Sequence, residues 1–212
     1  MKIKNLIFDL DGTLWDSRFA IIENWNQVLK PYLNRSLRVE DMNPYMGLLA
    51  DDVLRTILPG ISEKEIDEIL NQIIENEHKI LRKVGGILYD GVEVTLKNLA
   101  QTHQLYIVSN CQVGYIEAFL DFYGFKNWFQ DFESHGATGQ NKAHNIGLVV
   151  ERNRLNPEET LYVGDTQTDY ESAKANQLKM IFCEYGFGNL NSDSDAVRIK
   201  EFSEIPRVVS RI

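Results

Sequence analysis

The chain has 212 residues, 43% of them hydrophobic and 25% charged, which is the composition of a globular protein with a sizeable core. Its net charge of -9 argues against a nucleic-acid backbone or an anionic membrane as the main partner, because both require a basic surface. A small phosphorylated substrate, held by a metal ion and a few local cations, is not excluded.

The first predicted element is a buried strand that ends in two acids. Residues 3–8 form a short apolar run, Asp9 and Asp11 follow it, and Gly12 and Thr13 make a turn. Open α/β sheets bind their ligands at such strand ends. Aspartate is an ordinary turn former, but a carboxylate between two apolar residues is costly to bury without a cation. We therefore interpret the two acids as functional.

A helical insertion is predicted after this strand. Apolar residues recur at helical spacing from Arg18 to Leu33, with Ser17 as the candidate N-cap, and again over residues 51–58. A capping box at Ser62 opens a long amphipathic helix, which a glycine pair ends. The stretch shows no strand pattern, so we predict an inserted helical subdomain.

Alternating helices and strands resume after the insertion. The predicted strands cover residues 105–108, 160–163 and 180–183, with a weaker one near 132–133 and an edge strand and last helix after Val197. A turn at residues 90–92 leads into a predicted helix through Val94, Leu96 and Leu99, and further helices are predicted over residues 115–123, 141–154 and 168–175.

This alternation predicts an α/β fold with a doubly wound, Rossmann-like parallel sheet. We expect residues 1–15 and 85–212 to form this core domain and residues 16–84 to form a helical cap domain.

Two further strands end in polar residues. Ser109 and Asn110 follow one of them, and Asp165 follows the other after Gly164, with Asp169 four residues later. Because parallel neighbouring strands bring their carboxyl ends to one edge of the sheet, these residues are expected to lie near the acids of the first strand. Carboxylate and carbonyl oxygens are the natural ligands of a hard divalent cation. We therefore predict a metal site at this edge.

These motifs together resemble the haloacid dehalogenase-like (HAD) hydrolase superfamily. Residues 9–14 (DLDGTL) resemble its first motif, residues 108–110 (VSN) its second, and residues 164–169 (GDTQTD) its fourth, while Lys142 stands where the third motif has a lysine. The helical insertion is similar to that of the phosphoglycolate phosphatase-like and β-phosphoglucomutase-like branch. That branch often has a proline after the lysine, and Ala143 stands there instead, which leaves the substrate class open.

The resemblance implies a role for each motif residue. Asp9 would be the nucleophile that forms an aspartyl-phosphate, and Asp11 would carry the proton to and from the reacting oxygens. Mg²⁺ would bind the Asp9 carboxylate, the Asp11 backbone carbonyl and Asp165. The residues expected to hold the phosphate or substrate are Thr13, Ser109, Asn110 and Lys142. The supporting residues are Asp169, which would orient Lys142 or a metal-bound water unless it is simply a helix-face residue, and Gly12 and Gly164.

The implied function is a magnesium-dependent phosphatase acting on a small phosphomonoester. A phosphomutase of the β-phosphoglucomutase type is an alternative, because it shares the nucleophile and the motifs. A receiver-like phospho-acceptor signalling module is a third, although receivers are shorter and lack a helical insertion. The expected partner is a small phosphorylated metabolite, with no nucleic acid and no membrane, and the chain would be a monomer or a homodimer.

The remaining conspicuous residues are expected to have ordinary roles. Two cysteines, Cys111 and Cys183, have no disulfide or metal-ligand spacing, and no signal peptide or transmembrane run is visible, so we expect a cytoplasmic protein. Met46-Gly47 is expected to reach over the substrate. The histidines show no ligand spacing and are expected to be surface or helix-face residues: His78, His103, His135 and His144.

Overall fold

A parallel sheet organises the computed structural model, which describes residues 2–212 apart from the side chain of His78. The strands are β1 (Asn5–Phe8), β2 (Trp15–Asp16), β3 (Ile87–Leu88), β4 (Gln104–Ser109), β5 (Phe129–Ser134), β6 (Thr160–Gly164), β7 (Lys179–Cys183) and β8 (Val197–Ile199). Six of them form the sheet, in the order β5-β4-β1-β6-β7-β8, and all neighbours are parallel. The remaining two, β2 and β3, pair as an antiparallel ribbon.

Helices occupy the insertion and cover both faces of the sheet, which confirms the predicted doubly wound α/β fold. They are α1 (Arg18–Leu29), α2 (Val39–Met42), α3 (Ala50–Ile57), α4 (Glu63–Val84), α5 (Val92–Leu99), α6 (Tyr115–Tyr123), α7 (His135–Thr138), α8 (Lys142–Arg152), α9 (Gln167–Ala175) and α10 (Ile205–Val209). The predicted edge strand and last helix of the tail are confirmed as β8 and α10. No helix of the described chain combines the length and the apolar character needed to cross a membrane.

Successive side chains of the central strands enter opposite layers of the core, as the two-residue period of a strand requires. Leu6 and Phe8 of β1 pack with helices α5, α6 and α10, whereas Ile7 between them packs with α8 and α9. Every residue of β1 is buried, which explains why this strand reads as an uninterrupted apolar run.

The insertion has an apolar cluster of its own. Trp25 of α1, Leu54 of α3 and Ile69 of α4 pack together there, away from the sheet. Helix α4 continues past this cluster, and its Leu81 packs in the core cluster instead. One helix therefore contributes to both apolar clusters, and its middle lines a cleft beside them.

Three local expectations differ from the structure. Asp16 is not the start of a strand-free segment, since it pairs with Ile87 in the β2-β3 ribbon that closes the insertion. Helix α1 ends at Leu29 rather than residue 33. The strand expected near 132–133 is the six-residue β5, whose polar Gln130 and Asp131 broke the apolar pattern at this sheet edge. The expected position of the His78 side chain lies outside the described part of the structure.

Candidate active site

The pairing register of β1 brings the predicted residues to one edge of the sheet. Phe8 pairs with Ile107 of β4 on one side and with Val163 of β6 on the other. The chain then continues into Asp9 after β1 and into Asp165 after β6. The three strand ends therefore converge, as the sequence predicted.

Asp9, Lys142 and Asp169 form a buried row of charges at this edge. The Lys142 ammonium donates to Asp9 Oδ1 at 2.9 Å and to Asp169 Oδ1 at 2.7 Å, and all three side chains are at most 3% exposed. Lys142 is the first residue of α8, whose N-cap Asn141 accepts from the backbone N–H of His144. Burial alone would lower the pKa of Lys142, but the two carboxylates raise it above its ordinary value. The lysine is therefore a permanent cation between two acids.

Asp165 lies beside this row in a cradle of donors. Its Oδ2 accepts from the backbone N–H of Phe187 at 2.7 Å and of Gly188 at 3.3 Å, and its Oδ1 accepts from the Thr13 hydroxyl at 3.2 Å. Burial and the nearby Asp169 charge nevertheless raise the pKa of Asp165 to about 7. Burial likewise raises the pKa of Asp9 above its ordinary value.

The charge balance of these residues suits a divalent cation. Oxygen atoms of Asp9, Asp165 and Asp169 lie within 4.8 Å of one another, and Lys142 is the only cation paired with them among the described residues. Hard cations prefer such oxygen ligands. Asp169 is paired directly with Lys142, and its other oxygen accepts hydrogen bonds from the N-terminal groups of α9. The oxygens of Asp165 accept only from neutral backbone N–H groups and the Thr13 hydroxyl, so its charge has no such ion pair, and Asp9 and Asp165 stay the predicted metal ligands.

The Asp11 carboxylate is held apart from this cluster. Its Oδ1 accepts from the hydroxyls of Ser17 and Tyr115, the latter at 2.8 Å. Burial raises the pKa of Asp11, although these two hydrogen bonds oppose the shift. A carboxyl group with a raised pKa suits proton transfer near neutral pH.

The structure corrects one expectation about Ser17. The residue precedes α1, but its side chain makes no capping hydrogen bond, and its backbone ψ of -2° lies outside the extended region that an N-cap favours. The buried Asp11 carboxylate is the stronger acceptor, because an ionised partner makes the hydrogen bond stronger than a neutral one.

Two glycines make room for the acidic side chains. Gly12 has a φ of +85°, and a Cβ there would overlap the Asp165 carboxylate. A Cβ at Gly164 would overlap Asp169 in the same way. Gly12 and Gly164, the two glycines among the predicted supporting residues, therefore stand at positions where only glycine fits.

The remaining predicted residues line the cleft beside the helical insertion. Ser109 is the last residue of β4 and Asn110 follows it, and both line the same cleft as Asp9 and Asp11. Asn110 Nδ2 donates to the backbone carbonyl of Gly47 at 3.0 Å, so the Met46-Gly47 loop does reach over the site.

Sequence reasoning missed two residues of this cleft, Tyr115 and Glu77. Nothing near Tyr115 signals its contact with Asp11 from 104 positions away. Glu77 did carry a signal, because it stands four residues from both Ile73 and Leu81, on the apolar face of α4. A charged residue at such a position marks a special environment.

Comparison with known proteins agrees with this geometry. The family model described as haloacid dehalogenase-like hydrolase matches residues 6–183. A phosphoglycolate phosphatase from Colwellia psychrerythraea is 28% identical over 191 residues, covering 86% of this chain and 84% of that protein. The pyrophosphatase PpaX from Listeria innocua is 29% identical over 178 residues, covering 82% and 79%.

A solved haloacid dehalogenase-like family hydrolase from Streptococcus pneumoniae has a similar fold. It superposes with a TM-score of 0.83 at 21% identity, covering 97% of this chain and 98% of that one. The family match spans most of the chain and includes all four motifs, namely residues 9–14, 108–110, Lys142 and residues 164–169. The chain belongs to the haloacid dehalogenase-like hydrolase family.

Proposed function

We propose that this protein is a magnesium-dependent phosphatase that hydrolyses a small phosphomonoester through an aspartyl-phosphate at Asp9. The observation that carries the proposal is the position of Asp9, buried between Lys142 and Asp165 and facing a cleft that also contains Asp11. Two relatives are named phosphoglycolate phosphatase and pyrophosphatase, and both names describe hydrolases that transfer a phosphoryl group to water.

The residues divide the reaction between them. An Asp9 carboxylate oxygen forms a bond to phosphorus while the bond from phosphorus to the ester oxygen breaks, and Asp11 gives its proton to that oxygen. Water then attacks the phosphorus, Asp11 takes a proton from this water, and the Asp9 carboxylate is released. Lys142 occupies one Asp9 oxygen and leaves the other available for attack.

The metal would be held by Asp9 and Asp165, with the Asp11 backbone carbonyl as a further ligand. It would offset the charge of the transferring phosphoryl group. Thr13 supports this site through its hydrogen bond to Asp165. Ser109, Asn110 and Lys142 would hold the phosphoryl oxygens.

We further propose that the protein works in the cytoplasm on a small phosphorylated metabolite, as a monomer or a homodimer. Cys111 and Cys183 are both free thiols, which suits a reducing compartment. The division into a core of residues 1–15 and 85–212 and a cap of residues 16–84 is part of the same proposal. It is supported by the separate apolar cluster of the insertion.

The test is hydrolysis of 4-nitrophenyl phosphate and of a phosphometabolite panel, with Mg²⁺ and with EDTA. We expect phosphate release only with the metal, and none from Asp9→Asn, while Asp67→Asn, an exposed position on α4, keeps wild-type rates. Acid quenching should trap a phosphoryl group on Asp9, seen by peptide mass spectrometry. Turnover by Asp9→Asn would reject the nucleophile.

The same panel separates the phosphatase from the phosphomutase alternative. A mutase would isomerise a sugar monophosphate when primed with the bisphosphate and would release little phosphate. We expect phosphate release without isomerisation.

A further inference from the structure

The cleft between cap and core is polar at one end and apolar at the other. Its volume is about 80 Å³. The core supplies the reacting groups Asp9 and Asp11, with Lys142 behind them. The cap supplies a wall of apolar side chains, among them Ile21, Trp25, Met42, Met46, Val53 and Ile73.

Glu77 is the one acidic side chain that the cap places in this apolar wall, among the described residues. It is 6% exposed, and none of the described side chains donates a hydrogen bond to it or pairs with it. Burying a carboxylate without a partner is costly, and because Glu77 lines the cleft, its carboxyl group can meet a partner there that the described residues do not supply.

The groups that face Glu77 from neighbouring elements cannot neutralise it. They are Asp11 from the loop after β1, Cys111 from the loop after β4 and Tyr115 from α6, and none of these is a cation. Lys142 is the only cation lining the cleft among the described residues, and both of its contacts are to the carboxylates of Asp9 and Asp169. No cation among the described residues is available to Glu77, so the group that pairs with it lies in the cleft, which solvent fills in the free protein and a ligand fills when bound.

We propose that Glu77 selects the substrate by accepting a hydrogen bond from its leaving group. This rests on the proposed phosphatase function. The preferred leaving group is then an apolar body that carries a donor, an ammonium first and a hydroxyl second, and a leaving group with a carboxylate is rejected.

The chemistry of the cleft explains this order. With the phosphoryl group at Asp9, the leaving group extends from Asp11 into the apolar wall towards Glu77. Burial raises the pKa of Glu77, so the free protein keeps this carboxyl protonated near neutral pH; an ammonium in the cleft stabilises the ionised form and donates a charge-assisted hydrogen bond to it, whereas a hydroxyl supplies only a hydrogen bond. A carboxylate would be a further acidic group beside Glu77 and Asp11, in a wall where none of the described residues supplies a free cation. Phosphoglycolate, which some relatives' names specify, carries such a carboxylate, so we assign this chain a different substrate class.

The test uses three phenyl phosphates that differ only in the para substituent: aminomethyl, ethyl and carboxymethyl. The ethyl group matches the aminomethyl group in size, and the methylene linkage keeps the three leaving groups similar in acidity. We expect kcat/KM of the wild-type protein with Mg²⁺ to be at least about tenfold higher for the amine than for the ethyl ester, and lowest for the carboxylate.

Variants identify the residue responsible. Glu77→Gln should bring the amine-to-ethyl ratio close to one, and Glu77→Lys should reverse the order so that the carboxylate ester is preferred. Glu75→Gln, exposed on the same helix, should keep the wild-type ratio. A wild-type preference for the carboxylate, or a Glu77→Gln protein that keeps the amine preference, would overturn the proposal.

Equilibrium binding separates this inference from the proposed function. The three matching benzylphosphonates cannot be hydrolysed, and calorimetry with Mg²⁺ should give the same order of affinity. An amine preference in binding without any ester turnover would reject the phosphatase and keep the role of Glu77. Turnover of all three esters at similar kcat/KM, with similar binding, would reject the role of Glu77 and keep the phosphatase.

Discussion

Replacing Glu77 with glutamine should stabilise the ligand-free protein, and the gain should grow as the pH rises. Burial, together with the Asp11 charge, raises the pKa of Glu77 to about 8. An unfolded chain exposes the same carboxyl to water, where its ordinary value is 4.5. Between these two pH values the unfolded chain loses the proton while the folded chain keeps it, so wild-type stability falls as the pH rises.

The magnitude follows from the two pKa values. At about 1.4 kcal/mol for each pH unit between 4.5 and about 8, the free energy of unfolding loses about 5 kcal/mol through this group. Below pH 4.5 the carboxyl is neutral in both states and resembles glutamine. The difference between variant and wild type should therefore rise from near zero at pH 4.5 to about 5 kcal/mol above pH 8.

The assay is urea unfolding of both proteins in EDTA, at several pH values from 4.5 to 8.5, with the m-values compared. Other buried acids, such as Asp9 and Asp165, titrate in both proteins and cancel in the difference. Glu75→Gln, at an exposed position of the same helix, should follow the wild type throughout. A stability difference that stays constant over this range would refute the reasoning, because it would mean that Glu77 is ionised normally in the folded state.

Three other substitutions test the site and the cap. Lys142→Ala leaves two buried carboxylates without their cation, so the free energy of unfolding in EDTA should fall by about 3–5 kcal/mol, measured by urea unfolding. Gly12→Ala places a Cβ against the Asp165 carboxylate, so the Mg²⁺ concentration for half-maximal activity should rise about tenfold or more; an unchanged value would contradict the crowding. Ser62→Ala removes the N-cap of α4 and should cost about 1 kcal/mol of stability in denaturant titrations, with kcat unchanged.

The strands and the reacting residues could be predicted because their signals are local in the chain. Leu6, Ile7 and Phe8 are buried on both faces of a parallel sheet, so β1 has an uninterrupted apolar pattern. Asp9 interrupts such an apolar pattern between Phe8 and Leu10, and Asp165 comes directly after the apolar strand β6, so both acids are conspicuous in the sequence. The edge strand β5 was predicted too short, because a sheet edge tolerates polar residues such as Asp131, which pairs with Arg152.

Contacts between distant segments decided the rest. Ser17 looks like an N-cap from its neighbours, but the fold brings the Asp11 carboxylate and the Tyr115 hydroxyl to it, and the hydroxyl of Ser17 donates to Asp11 instead. The short ribbon β2-β3 joins residues more than 70 positions apart and has no recognisable pattern of its own. A pairing of two residues contributes too little local signal to be read from sequence.

The sequence by itself determined the chemistry, since the order of strand, acid and turn specifies which groups meet at the sheet edge. Only the tertiary structure decided the electrostatics of those groups. The pKa of Asp165, the cation between Asp9 and Asp169, and the pKa of the buried Glu77 all depend on burial and on charges from other elements. Desolvation and Coulomb interactions act through space, so neither can be read from neighbours along the chain.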